Sequence, residues 1–266
     1  MQLTLRPAPC ARDTFLPLLP SGYSSPAGFP AHSLLRPPGP VPHLPVGTRL
    51  LHTNDKSLFA VTGMLRPPAK LHALVCPLLT ALEDISAEPP AELRLSVHKP
   101  GISLAWITLS DKGYRGDRED TSGPLIADIL SQILPVCHSQ GFLLPDDADM
   151  LRALLTELAL TEGYDIICTT GGTGLSPRDI SPQTTARVMD LPLHGIRQAM
   201  LACGLAVTPR AAISRAEAGI LGKSVVINLP GSSKAVQENL NAVMHALPHA
   251  LDKLHGDGRD CGGQAD

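Results

Sequence analysis

The sequence predicts an α/β protein: an open, mostly parallel sheet with helices on both faces, plus a small proline-rich, β-containing region at the amino end. Three observations carry this expectation. Tyr164-Asp-Ile-Ile-Cys168 is a short apolar, β-rich run bounded by polar residues, the pattern of a strand buried on both faces. From residue 102 onward, β-rich runs alternate with stretches of helical apolar spacing. Each predicted main strand of that half then runs out into a turn-rich polar segment. In a parallel sheet these ends share one edge, and ligands bind in the crevice there.

The elements follow in order. Residues 1–46 are dense in proline, as in Leu35-Arg-Pro-Pro-Gly-Pro-Val-Pro-His-Leu-Pro45, which removes backbone donors and blocks helices. Phe15, Leu16, Leu18, Leu19, Phe29, Leu34 and Leu35 are more apolar than a solvated linker needs, so this segment is expected to wrap a small β unit. That unit spans 46–70, where Val46–Leu51 and Leu58–Thr62 flank a turn at Asn54-Asp55-Lys56 and read as a hairpin. Residues 70–84 are expected to form a helix kinked at Pro77. Glu88-Pro-Pro-Ala-Glu92 marks a boundary between an amino-terminal region (1–99) and a second domain (100–255), and the Gly/Asp-rich tail (256–266) reads as disordered.

In the second domain, Ile102–Leu109 is a strand. A helix over Ser122–Ser139 presents Leu125, Ile126, Ile129, Leu130, Ile133 and Leu134 at helical spacing. A short strand at Gly141–Leu144, a helix over about 147–162 and the Tyr164–Cys168 strand follow. Ser181-Pro182 reads as an N-cap with proline at the first helical position, opening a helix to about 190. A helix over 194–205, short strands at Ala211–Ser214 and Ser224–Asn228, and a closing helix from Ser232 to about Leu254 complete the domain. Asp147 and Ser232 read as helix caps. Gly219-Ile-Leu-Gly-Lys-Ser224 echoes a P-loop, but it precedes a strand, with Glu217 where the first glycine belongs, and reads as a hairpin turn.

With 266 residues, 43% hydrophobic and 18% charged, the chain can bury a good core, and its length allows two domains. A net charge of -3 argues against nucleic acid or an anionic membrane as the main partner. Cys10, Cys76, Cys137, Cys168, Cys203 and Cys261 are widely spaced with no Cys-x-x-Cys, which suits reduced thiols in a cytoplasmic protein. Proline interrupts the start before a signal-peptide core can form, and no apolar run reaches membrane-spanning length.

The strand ends hold the candidate chemistry. After Cys168 come Thr169, Thr170 and three glycines in four positions, Gly171, Gly172 and Gly174, which allow positive φ and let N–H groups converge on an anion. Arg178 and Asp179 follow. Asp111 and Asp120 stand beyond the first strand, Asp146 beyond the second and Lys234 beyond the last. Two carboxylates can hold Mg²⁺ together with phosphate oxygens, and cations with loop amides can offset charge on a transferring phosphorus. The pattern points to nucleotide-dependent phosphoryl or nucleotidyl transfer.

Thr169-Thr-Gly-Gly-Thr-Gly174, Pro177-Arg-Asp-Ile-Ser-Pro182, Ile213-Ser-Arg215 and Asn228-Leu-Pro-Gly231 together resemble the MogA/MoaB family of molybdenum cofactor biosynthesis proteins. Ser110-Asp111, Asp120-Thr-Ser-Gly123 and Leu144-Pro-Asp-Asp147 match its first half, so the resemblance covers about 101–255. It implies a MogA-like fold and adenylylation of molybdopterin by Mg-ATP, with pyrophosphate released. By position, Asp146 and Asp179 would be the catalytic, metal-holding residues. Ser110, Asp111, Ser122, Gly123, Thr170, Gly171, Gly172, Thr173, Gly174, Arg178, Ser214, Arg215, Asn228, Pro230 and Gly231 would bind the substrates. It further implies a homotrimer or hexamer, with other molybdenum cofactor biosynthesis enzymes as partners. A carrier or scaffold that holds pterin without turnover is the competing reading. Val46-Gly-Thr-Arg-Leu50 and Phe59-Ala-Val-Thr-Gly63 resemble MOSC-type β-barrel domains, which handle sulfurated cofactor, but without the cysteine those domains place after the second strand.

Overall fold

A computed structural model describes residues 1–7, 9–20, 35, 37, 40–52, 55–66, 75–86 and 92–256. Phe29, Leu34, Asn54, most of the expected boundary at 88–92 and nearly all of the tail lie outside the described residues. Contacts divide the chain into two units, residues 1–103 with 161–163, and 104–160 with 164–266.

The first unit is an antiparallel sheet of six strands: β1 Gln2–Leu5, β2 Phe15–Pro17, β3 Arg49–Leu51, β4 Ser57–Leu65, β5 Cys76–Ala81 and β6 Leu93–His98, in the order β1-β6-β3-β4-β5-β2. β3 and β4 form the expected hairpin, with Asp55 at φ 60 in the connection. The proline-rich start supplies both edge strands, and the proline within them, Pro17 of β2, sits at an edge, where a missing N–H costs least. Its Leu16, Leu18, Leu19 and Leu35 are fully buried. The helix expected over 70–84 is corrected: Cys76–Ala81 is β5, paired with both β4 and β2. A short continuous apolar run has no period that separates a buried strand from a helix, and the ladder decided.

The second unit carries the mixed sheet, built from β7 Ile102–Leu109, β8 Val136–Leu144, β9 Ile166–Thr170, β10 Leu191–Pro192, β11 Ala218–Leu221 and β12 Ser224–Leu229, in the order β10-β11-β12-β9-β7-β8. β9 lies parallel to both neighbours, with Thr108 of β7 and Leu229 of β12 each level with Thr170. Every residue of β9 and β12 is buried, as a central parallel strand requires. The far edge turns antiparallel through β11 and β10. Gly222 at φ 59 makes the β11–β12 turn, so the P-loop echo is a hairpin.

Helices cover both faces. They are α1 Asp111–Tyr114, α2 Ser122–Leu130, α3 Ala148–Thr156, α4 Ser181–Val188, α5 His194–Val207, α6 Ser233–Val243 and α7 Leu247–Leu254. α2 packs on α6, and α3 on α4. Asp147 and Ser232 cap α3 and α6 by accepting from the amides of Met150 and Ala235.

Several elements differ from expectation. The helix expected over 147–162 is α3 followed by a π-helical turn at Glu157–Glu162, and the closing helix is broken into α6 and α7 by a 3₁₀ turn at Met244–Ala246. α2 stops at Leu130, where the amides of Gln132 and Ile133 switch to Ile129 O and Leu130 O three residues back, ahead of Pro135, and β8 begins at Val136, five residues before the expected strand. The strand expected at Ala211–Ser214 is a 3₁₀ turn over Pro209–Ile213, capped by Thr208 with proline at its start. Ser181 is the first residue of α4 and not its side-chain cap, since its hydroxyl is turned to the glycine loop.

Asn228 ties this core together. Wholly buried in β12, it donates to Thr169 Oγ1 of β9 and Thr185 Oγ1 of α4, each at 2.9 Å, and its Oδ1 accepts from the Glu217 amide at 3.2 Å. Replacing Asn228 by Leu strands these partners without water, and is expected to cost about 3 kcal/mol of stability, read from urea unfolding.

Candidate active site at the strand ends

Three strand ends meet backbone to backbone at Gly171. Its φ of 95 suits glycine, and a Cβ there would collide with the Leu109 carbonyl that ends β7. Its amide donates to Leu229 O at 3.2 Å, and a Cβ on Gly231 would stand 3.3 Å from its Cα. Gly172, at φ 63, packs under Ser181, whose hydroxyl donates to Gly171 O at 2.7 Å. Thr170 Oγ1 donates to Pro230 O at 2.7 Å.

The rest of the loop hangs on Arg215. Its Nε donates to Gly174 O at 2.8 Å, one terminal nitrogen to Asp179 O at 2.7 Å and the other to Gln183 Oε1 at 2.9 Å, while its amide donates to Thr173 O at 3.1 Å. A planar fork meeting three acceptors at once is a geometry that lysine cannot copy. Arg215 therefore holds the loop that carries Arg178 and Asp179. Asp179 Oδ2 accepts from the Ser176 amide at 2.7 Å and lies against Gly174.

Asp111 joins the three loops. One oxygen accepts from the Asp146 amide at 3.1 Å, and the other pairs with the Arg178 guanidinium. Ser110 before it caps α1 through the Gly113 amide and donates its own amide to Leu144 O at 2.9 Å, bringing the ends of β7 and β8 together. Asp111, Asp146, Arg178 and Asp179 thus form one electrostatic group.

The pKa shifts within it oppose one another. Asp146 is raised above its ordinary 3.8, first by burial and then by the charge of Asp111, with the hydrogen bond its carboxylate accepts from the Asp111 backbone and the charge of Arg178 pulling the other way. Asp111 is lowered, chiefly by its hydrogen bond from Arg178. Burial pushes Cys168 up to about 12 and Cys76 to about 11, so neither thiol is poised to react.

Two cavities are lined by residues of the neighbouring loops, and none of Asp111, Asp146, Arg178 and Asp179 is among the lining of either. A small one of about 140 Å³ is lined by Thr108, Ser110, Asp120, Ser122, Thr170, Gly171 and Gly231. A larger, mostly apolar one of about 900 Å³ is walled by Thr173, Gly174, Ser214, Arg215 and Pro230 from the loops, by Gln183 of α4 and by Arg197, Met200 and Leu201 of α5.

Some expected residues serve the scaffold. Asp120 accepts from the amides of Ser122 and Gly123 at 3.1 and 2.9 Å, occupying the N–H groups that open α2. Gly123 and Gly141 lie on the Trp106 ring, where a Cβ at either would collide with it. Asn228 borders neither cavity. Lys234 pairs with Glu238, one turn along α6, at 3.9 Å. Sequence reading missed the Arg197–Glu217 pair at 2.9 Å in the large cavity, because no spacing brings an α5 residue to the segment before β11.

A sequence profile of the family described as "Probable molybdopterin binding domain" matches residues 105–249, over half of the chain. The chain belongs to this molybdopterin-binding family. A relative named molybdopterin adenylyltransferase, from Helicobacter pylori J99, is 35% identical over 156 residues, 58% of this chain and 89% of that protein. Gephyrin of Dictyostelium discoideum is 36% identical over 190 residues, 66% of this chain and 26% of its own length. The crystal structure of the molybdopterin biosynthesis enzyme MoaB from Thermus thermophilus superposes with a TM-score of 0.54 at 41% identity, covering 58% of this chain and 97% of that one. The molybdopterin-binding family accounts for the second unit and leaves residues 1–103 outside the match.

The opposed shifts give a signed test. Folding disfavours ionised Asp146, so Asp146→Asn is expected to raise the melting temperature at pH 7 without divalent metal, the gain vanishing once pH falls below about 3.8 and both states are protonated. Folding favours ionised Asp111, so Asp111→Asn lowers it above that pH, a loss that fades as pH drops through the depressed pKa. Calorimetric scans from pH 3 to 8 separate the two.

Proposed function

We propose that the chain is a molybdopterin adenylyltransferase, moving AMP from Mg-ATP to the terminal phosphate of molybdopterin in molybdenum cofactor biosynthesis. The observation that carries this is the gathering of Asp111, Asp146, Asp179 and Arg178 from three strand ends, with Asp146 kept ionisable where burial and a neighbouring charge oppose it. Carboxylates held against their own repulsion suit a cation site better than a phosphate-only pocket. Family membership and the relatives' names support the same reading.

In this reading Asp146 and Asp179 hold Mg²⁺. Phosphate oxygens and water complete the ion's shell. When bound, the ion would withdraw charge from the phosphate oxygens of ATP. The chain's own part is placement. Arg178 meets phosphate charge, the loop fixed by Arg215 holds Asp179 in position, and the 900 Å³ cavity takes the organic part of a substrate. The terminal phosphate of molybdopterin attacks the α-phosphorus of ATP and pyrophosphate leaves; a phosphate nucleophile needs no protein base.

We also propose a cytoplasmic homotrimer or hexamer. Leu201, Leu205, Val207 and Ile213 expose apolar surface on α5 and the turn after it, which an assembly would cover. Among the described residues no helix is long and apolar enough to cross a membrane.

Purified protein with molybdopterin, ATP and Mg²⁺ is expected to form adenylylated molybdopterin, followed by chromatography. Asp146→Asn and Asp179→Asn should each cut the rate by about 100-fold or more while pterin binding persists. Pterin binding without product from the unaltered protein would leave a carrier or scaffold.

A further inference from the structure

We propose that Asp111 is a built-in competitor for Arg178: in the ligand-free protein it holds the guanidinium that a substrate's phosphate chain must take over. The proposal rests on the reading that these strand ends receive the phosphates of a nucleotide. Asp111 has two separate jobs, one for each oxygen. Oδ1 accepts from the Asp146 amide at 3.1 Å and so locates the loop after β8, while Oδ2 takes Arg178.

Hydrogen bonds hold the backbone here, and the Arg178 side chain is tied through its pair with Asp111. The backbone around Arg178 is fixed, since its amide donates to Ser176 Oγ, the Asp179 amide donates to Ser176 O, and Arg215 grips Gly174 O and Asp179 O. The Arg178 side chain is 61% exposed and that of Asp111 30%. Turning the guanidinium away from Asp111 therefore moves side-chain torsions alone and breaks a solvent-accessible ion pair, which is a weak tie. A multiply charged phosphate chain is a stronger partner for the arginine fork than one carboxylate.

Charge gives the exchange its consequence. While paired, Arg178 and Asp111 cancel, and an approaching anion meets the charges of Asp146, Asp147 and Asp179 with Arg115 as the neighbouring cation. A di- or triphosphate wins Arg178 from Asp111 more readily than a weakly charged ligand does. After transfer, Asp111 recaptures Arg178 as pyrophosphate leaves. Asp111 is on this account a positioning residue acting through Arg178, and it tunes both selectivity for the phosphate chain and product release.

The test is a double-mutant cycle on the full chain, titrating inorganic pyrophosphate without metal by calorimetry. Asparagine at the position keeps an oxygen for the Asp146 amide and removes only the charge. Asp111→Asn is expected to bind pyrophosphate about fivefold more tightly than the unaltered protein, whereas in an Arg178→Gln background the same change has less than about a twofold effect. Equal tightening in both backgrounds would mean a general charge effect and overturn the proposal, as would no tightening in either. A second readout needs no substitution at Asp111. The Arg178 Nε–H resonance of the unaltered protein, identified by its loss in Arg178→Gln, should shift on pyrophosphate addition, and an unmoved signal at saturation overturns the exchange. Pyrophosphate binding needs no turnover. A protein that shows the coupling yet forms no adenylylated product disproves the adenylyltransferase reading alone, while product without coupling disproves only the role of Asp111.

Discussion

The Leu109 carbonyl stands where any side chain at position 171 would have to be. That close approach sets β7, β9 and β12 at one level, with Gly171 donating to Leu229 O and Gly231 packed on its Cα. Because the ends are level, the loops after them emerge together, and charges far apart in sequence become neighbours. Asp111 and Arg178 are separated by 67 positions and share an ion pair. A sheet whose ends were staggered by one residue would also reverse which face each side chain meets.

Around this contact, polar groups serve in two different ways. Asn228, Thr169, Thr185, Asp120 and Arg215 satisfy backbone or buried partners and make the loops rigid. Asp111, Asp146, Asp179 and Arg178 lie where the loops face outward, and their charges act on one another. Rigid support under a small strained set of charges is the usual division between scaffold and site, because a group held against its own desolvation keeps its place only if its neighbours cannot relax. The raised Asp146 and the lowered Asp111 show the strain and its relief side by side.

The first unit is organised differently. Its proline-rich start would be a poor central strand, yet as two edge strands it closes an antiparallel sheet and buries Leu16, Leu18, Leu19 and Leu35. Prolines at an edge also discourage pairing with a further strand. The family match leaves residues 1–103 of this unit out.

Much was readable without the fold. The glycine pattern, the flanking Arg178 and Asp179, and Asp111 and Asp146 at strand ends were visible because turn chemistry and buried parallel strands are local signals. The Asp147 and Ser232 caps were visible for the same reason. Where local signals are degenerate, the sequence misled: Cys76–Ala81 is equally apolar as helix or strand, and only pairing with β4 and β2 made it a strand. Ser181 has the residue type of a cap, but the Gly171 carbonyl claimed its hydroxyl. Roles that depend on who arrives from elsewhere, Arg215 as the loop's clamp, Asn228 as a core tie, Arg197 paired with Glu217, were decided only by tertiary structure. By itself the sequence determined which groups could do chemistry at the strand ends; packing determined which of them are already committed to one another, since a hydrogen bond or ion pair is a property of distance and direction that no residue carries alone.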